Sequence, residues 1–271
     1  MSKKVVHYSG VKLVKRKRTK RKKFGVFLFC VLCVGGVVLF ATGVPDALKI
    51  SSFSFLFKSE TNVVNAHSYY AVLMGKYDSE SEAQAVASGA SVVGAGAYVW
   101  NTDGKFLVVG NVYKNKADAE TVAKNISGNN YNVSVYEIKY SKLKVDLNNL
   151  SSEQELEFVN AINFLDDVFL KVYNYSVKFD KSEIVATVVS SELNTLKSEI
   201  KVWASKLDSI NSFVPTSFGL SIKNTFVALA TEFDSCVLKV INGASVSKDL
   251  KYLTTSVAVQ KFNLFNNLSG V

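Results

Sequence analysis

Residues 70–77, Tyr-Ala-Val-Leu-Met-Gly-Lys-Tyr, run directly into residues 78–82, Asp-Ser-Glu-Ser-Glu. The first segment is rich in aromatic and β-branched residues and reads as a strand. The second is a helix start, because Ser79 and Glu82 have capping-box spacing. Ala83, Val86, Ala87, Ala90 and Val93 then fall on or beside one helical face, and Gly94 and Gly96 stop the helix.

The same order repeats downstream. Ala97-Tyr98-Val99-Trp100 and Lys105-Phe106-Leu107-Val108-Val109 flank Asn101-Thr102-Asp103-Gly104, whose Asp-Gly step favours a hairpin turn. Asn111-Val112-Tyr113 leads to Asn115, a helix cap three residues before Asp118. Ala119, Val122, Ala123 and Ile126 carry a second helix to Gly128, and residues 131–136 alternate as a strand. The result is β-α-β-β-α-β, a split βαβ arrangement with two helices on one face of a four-stranded sheet.

Strand parity says what the other face is made of. If Val72 and Met74 face the two helices, Ala71, Leu73 and Gly75 point away from them. Leu107 and Val109 likewise lie opposite Phe106 and Val108. That second face is largely apolar, which suits a covered surface better than a wet groove.

Over about residues 69–138 the chain resembles the SPOR family, the sporulation-related repeat. Tyr70, Val72, Gly75, Tyr77 and Ala83 match the family's first strand and helix, and Val108, Gly110, Tyr113 and Ala119 match the second. The resemblance implies a small domain that binds peptidoglycan glycan strands at the division or sporulation septum. The Gln usual in the family's first strand falls at Leu73, and an aromatic often found beside its third strand falls at Lys105. Sugars stack on aromatic rings, so Tyr98, Trp100 and Tyr136 join Leu73 and Lys105 as candidate glycan-binding residues. For Trp100 a core or rim position is the competing reading.

Outward toward the N-terminus, residues 24–44 form a run of 21 without a charge. In a helix that length matches a bilayer core of about 30 Å. Residues 1–23 carry 11 Lys and Arg and no acidic residue, among them Arg16, Arg18, Arg21, Lys22 and Lys23. This charge bias predicts a single-pass anchor in the lipid bilayer, with a cytoplasmic N-terminus and extracytoplasmic C-terminal domains. A cleaved secretory signal shares these features but is shorter. Residues 45–66 read as a juxtamembrane linker, in which 53–57 are an edge strand or an interfacial segment.

Beyond residue 140 the pattern turns helical. Ser152 and Glu155 have cap spacing, and Phe158, Ile162, Leu165, Phe169 and Val172 recur at alternating fours and threes. Val189, Leu193, Leu196, Ile200, Trp203, Leu207 and Ile210 do the same. Ile222, Phe226, Leu229, Phe233, Cys236 and Val240 form a third seam, and Val246, Leu250, Leu253, Val257 and Leu264 a fourth. Four such helices predict an up-down bundle over 150–268, or a coiled coil between chains.

The expected fold class is therefore α+β: a single transmembrane helix, a split βαβ SPOR-like domain at 67–140, and an all-α up-down bundle whose protein partner is unknown.

Charge and rare residues narrow the function classes. The net charge of +9 resides in the first 23 residues, whose removal leaves 21 basic against 23 acidic groups, so no nucleic-acid partner is expected. The chain has two histidines, His7 and His67, and three cysteines, Cys30, Cys33 and Cys236. Zinc amidase chemistry needs more ligands than that, and Asp166 and Asp167 read as a solvated helix face. A non-enzyme without metal or other cofactor is expected. It is either a peptidoglycan binder or a scaffold that contacts protein without recognising glycan.

Overall fold

The computed structural model describes residues 62–127, 131–147, 150–214, 216–243 and 245–269. Six strands are described: β1 (Val63–Val64), β2 (His67–Tyr77), β3 (Tyr98–Thr102), β4 (Lys105–Tyr113), β5 (Ser134–Tyr140) and β6 (Leu143–Lys144). Six helices accompany them: α1 (Glu80–Val92), α2 (Lys116–Ile126), α3 (Ser152–Asp180), α4 (Ala186–Phe213), α5 (Ser217–Ile241) and α6 (Val246–Ser269).

The main sheet is antiparallel throughout in the order β3-β4-β2-β5, so the first strand of the repeat lies in the middle. Asp103 and Gly104 both take positive φ, as a two-residue hairpin loop requires, and they leave Thr102 paired with Lys105. Ser79 caps α1 by accepting from the Glu82 N–H. Helices α1 and α2 lie on one face, where Met74 and Val108 pack with Ala83, Ala87 and Ala90. The small residues of α1 let it approach the sheet closely.

Helix α3 starts one residue earlier than its sequence suggests. Ser151 is the N-cap and forms a reciprocal capping box with Gln154. Glu155 is thereby free to accept from the Leu147 N–H at 2.7 Å and from Asn62 Nδ2 at 2.5 Å. Its carboxylate ties the head of α3 to the segment beside β1, which pairs with β6.

The four long helices pack in a ring: α3 on α4, α4 on α5, α5 on α6, and α6 back on α3. Helix α6 also lies across β3, β4 and β5. It is buried on every side from Leu253 to Val259. The hydroxyls of Thr254 and Thr255 bond to carbonyls one turn earlier, so this polar stretch can sit dry.

Two sequence expectations are corrected here. The described fold is α+β with six helices and no membrane span, since among the described residues no helix is long and apolar enough to cross a membrane. Their length would suffice, but charged residues such as Lys248, Asp249, Lys251 and Lys261 on α6 are incompatible with hydrocarbon. The expected single-pass placement is corrected with it. Residues 24–44 and the basic residues Arg16, Arg18, Arg21, Lys22 and Lys23 lie outside the described residues.

The sheet and the long helices belong to one compact unit, residues 60–271. One continuous apolar core runs from Ala71, Leu73, Leu107 and Val109 on the sheet to Phe158, Leu165, Leu229 and Leu253 in the helices. An apolar second sheet face must be buried against something, and the chain's own helices supply the cover.

Candidate functional site

The face that a sugar would need is the face that α6 occupies. Trp100, on edge strand β3, is 2% exposed. Its ring stands edge-on to Phe262 of α6, with centroids 5.2 Å apart, and edge-on to Tyr136 of β5 at 5.6 Å. Leu73 is buried in the same core. Tyr98 packs on Tyr252 of α6 at 5.0 Å, and burial pushes its phenol up to about 12. Tyr136 is half-buried against this cluster. Lys105 lies apart, at the hairpin tip, paired with Asp78.

The structure thus brings Leu73, Trp100, Tyr98 and Tyr136 together, but as packing residues beneath a helix. Lys105 does not join them. Trp100 is closed to a hexose, while Tyr98 and Tyr136 are partly buried. One polar loose end remains, since the Trp100 indole N–H is buried without a hydrogen-bond partner.

Alongside this aromatic floor lies a charge cluster that joins sheet to helices. Lys261 of α6 is 1% exposed and pairs with Asp166 of α3. Its ammonium also lies 3.1 Å from His67 Nε2 and 4.7 Å above the Tyr140 ring. Asp166 accepts from the Tyr69 hydroxyl at 2.8 Å and sits 3.1 Å from His67 Nε2. Tyr140 donates its hydroxyl to the Ala258 carbonyl at 2.9 Å. Strand β2, strand β5, α3 and α6 therefore meet at one carboxylate and one ammonium.

Burial acts on both charges. It would raise the Asp166 carboxyl, but the hydrogen bond with His67 and the Lys261 charge outweigh it, leaving Asp166 below the usual carboxylate value. Burial pulls the Lys261 ammonium below the usual lysine value, against the attraction of Asp166. Such a pair costs desolvation energy and returns orientation, since its geometry is satisfied in one seating of α6 only.

Sequence reasoning placed Asp166 on a solvated face and passed over Lys261; the structure corrects both. A signal was present, because Lys261 occupies the seam position between Val257 and Leu264, where the 4-3 alternation calls for an apolar residue. A lysine in a helical seam asks for a buried carboxylate nearby. Cys236 lies in its seam as expected, buried, with its thiol pushed up to about 12 by desolvation. Among the described residues no group of three or more His, Cys, Asp and Glu is placed to hold a metal ion.

No protein-family model matches this chain, and no curated protein matches it. Among solved structures, the peptidoglycan-binding domain of the B. subtilis cell wall lytic enzyme CwlC is similar over 27% of this chain and 94% of that one. The two are 23% identical there, with a TM-score of 0.25.

Proposed function

We propose that this chain is a non-enzymatic, cell-wall-associated scaffold in which a SPOR-like sheet serves as the packing floor of a larger α+β unit. Its contacts are then with protein, and glycan is not read by the sheet. The observation that carries this reading is Trp100, sealed beneath Phe262 and 2% exposed. The residue-by-residue SPOR resemblance supports the association with the wall and, within this proposal, with the division or sporulation septum.

Sedimentation of the purified full chain with isolated peptidoglycan tests it. The scaffold reading expects the chain to stay in the supernatant at every wall concentration. Saturable pelleting that is weakened by Tyr136→Ala, in a variant that keeps its native circular dichroism spectrum, would overturn it.

A second reading is favoured by the unpartnered Trp100 indole: the sheet reads glycan after α6 has moved aside, when that N–H could donate to a sugar oxygen. Lys261→Ala loosens the seat of α6. It should raise pelleting under the second reading and leave it unchanged under the first.

A further inference from the structure

Helices α4 and α5 each carry a second seam, on the side away from the core. On α4 the exposed positions Val188, Ser191, Thr195, Ser198, Val202 and Ser205 recur at alternating threes and fours, and on α5 Leu220, Asn224, Val227, Thr231, Ser235 and Leu238 do nearly the same. None is charged, whereas the exposed positions of α3 include Asp167, Lys171 and Lys178. Val188, Val202, Leu220, Val227 and Leu238 are between 43% and 67% exposed. Polar members of the seams are already satisfied: Thr195, Ser198 and Thr231 donate their hydroxyls to carbonyls one turn earlier on their own helix. Thr254 and Thr255 of α6 do the same and are fully buried. Such a face can lose its water without orphaning those donors.

We propose that the joint outer face of α4 and α5 is the interface of a homodimer, covered by the same face of a second copy of this chain. Size supports this, since at about 1.5 Å per residue the two helices run for about 40 Å and side by side are about 20 Å wide. That is about 800 Å² per copy, the area a standard stable interface buries on each partner. Charge favours a second copy over an unlike partner. A two-fold contact sets a face against itself, where unpaired like charges would meet, and these seams have none to bring together. Charges between the two helices are met within the chain, Asp234 by Lys197 and Lys201 and Asp208 by Lys223. They call for no charged partner. This inference is independent of the wall association proposed above.

Sedimentation velocity of the full chain tests it, in non-ionic detergent so that the uncharged run 24–44 does not itself drive association. The native chain should be dimeric at micromolar concentration or below. Val202→Glu with Val227→Glu, both at exposed positions, should raise the dimer dissociation constant about a hundredfold or more while the circular dichroism spectrum stays native. Ser198→Arg with Ser235→Arg should do the same from other positions on the two seams. Lysine cross-linking between isotope-labelled and unlabelled copies should join the copies at Lys201 and Lys223. The proposal is overturned if the native chain stays monomeric up to about 100 μM, if either double variant dimerises as well as the native chain, or if the inter-copy links avoid α4 and α5.

Discussion

Lys261 and Asp166, 95 residues apart in sequence, form a buried ion pair that fixes α6 to α3 at the edge of the sheet. His67 and Tyr69 from β2 complete the cluster. The consequence is that the sheet and the long helices cannot be treated as independent modules. Breaking the pair from one side should be worse than removing it altogether.

Asp166→Ala leaves the buried Lys261 ammonium without its carboxylate and should cost about 3–5 kcal/mol, and Lys261→Ala less, because Asp166 is part-exposed and keeps Tyr69 and His67. The double variant Lys261→Met, Asp166→Leu should recover most of that loss. Urea denaturation of the three variants checks it, and additive losses would refute the coupling.

Acid should loosen the same joint. Asp166 has a folded pKa below its unfolded value of about 3.9. Its contribution is therefore fully present above that unfolded value and is lost as pH falls through the lowered folded one. Asp166→Asn should be less stable than the native chain at neutral pH and should show a flatter decline between about pH 4 and pH 2. Thermal unfolding across that range measures both slopes.

Trp100→Ala should cost about 3–5 kcal/mol, because the ring is enclosed by Phe262, Tyr136 and the strand core. Trp100→Phe should cost a fraction of that, since it keeps an aromatic ring and removes an indole N–H that has no partner. If both substitutions were nearly neutral, the described burial of this face would be wrong. Denaturation midpoints give the comparison.

At Gly96 the backbone of α6 comes close to the sheet half. A Cβ there would lie 2.7 Å from the Tyr252 nitrogen, 2.8 Å from the Lys251 carbonyl carbon and 3.0 Å from the Gly110 oxygen. All three are backbone atoms and cannot turn away. Gly96→Ala should therefore destabilise by about 1–3 kcal/mol. Gly104→Ala should act through its φ of +68° instead, with no such contact.

Cys236 should resist alkylation in the folded chain, because desolvation holds its thiol at about 12 and little thiolate exists at neutral pH. Peptide-resolved mass spectrometry after iodoacetamide treatment should find it modified only once urea unfolds the protein.

Much of the local structure was legible in the residues. Ser79 with Glu82 marks the start of α1, Asp103-Gly104 marks the hairpin, and the seams from Phe158 to Val172 and from Val189 to Leu207 are buried as their spacing implies, save Trp203, which is partly buried. The one-residue error at the head of α3 arose because Ser151 and Ser152 are both competent caps. The choice fell to Gln154, which closes the box, and to Glu155, which is needed by Leu147 and Asn62.

The candidate site was half legible. Alternation along β2 and β4 established that the second sheet face is apolar, but Trp100, Tyr98 and Tyr136 look the same in sequence whether they meet a sugar or a helix. Sequence by itself determined the order of strands and helices and which face of each is apolar, since these follow from local spacing along one chain. Only the tertiary structure decided that the sheet's second face and α6 cover one another, and that Lys261 finds Asp166. Periodicity tells a face that it must leave water and carries no information about which distant surface will receive it.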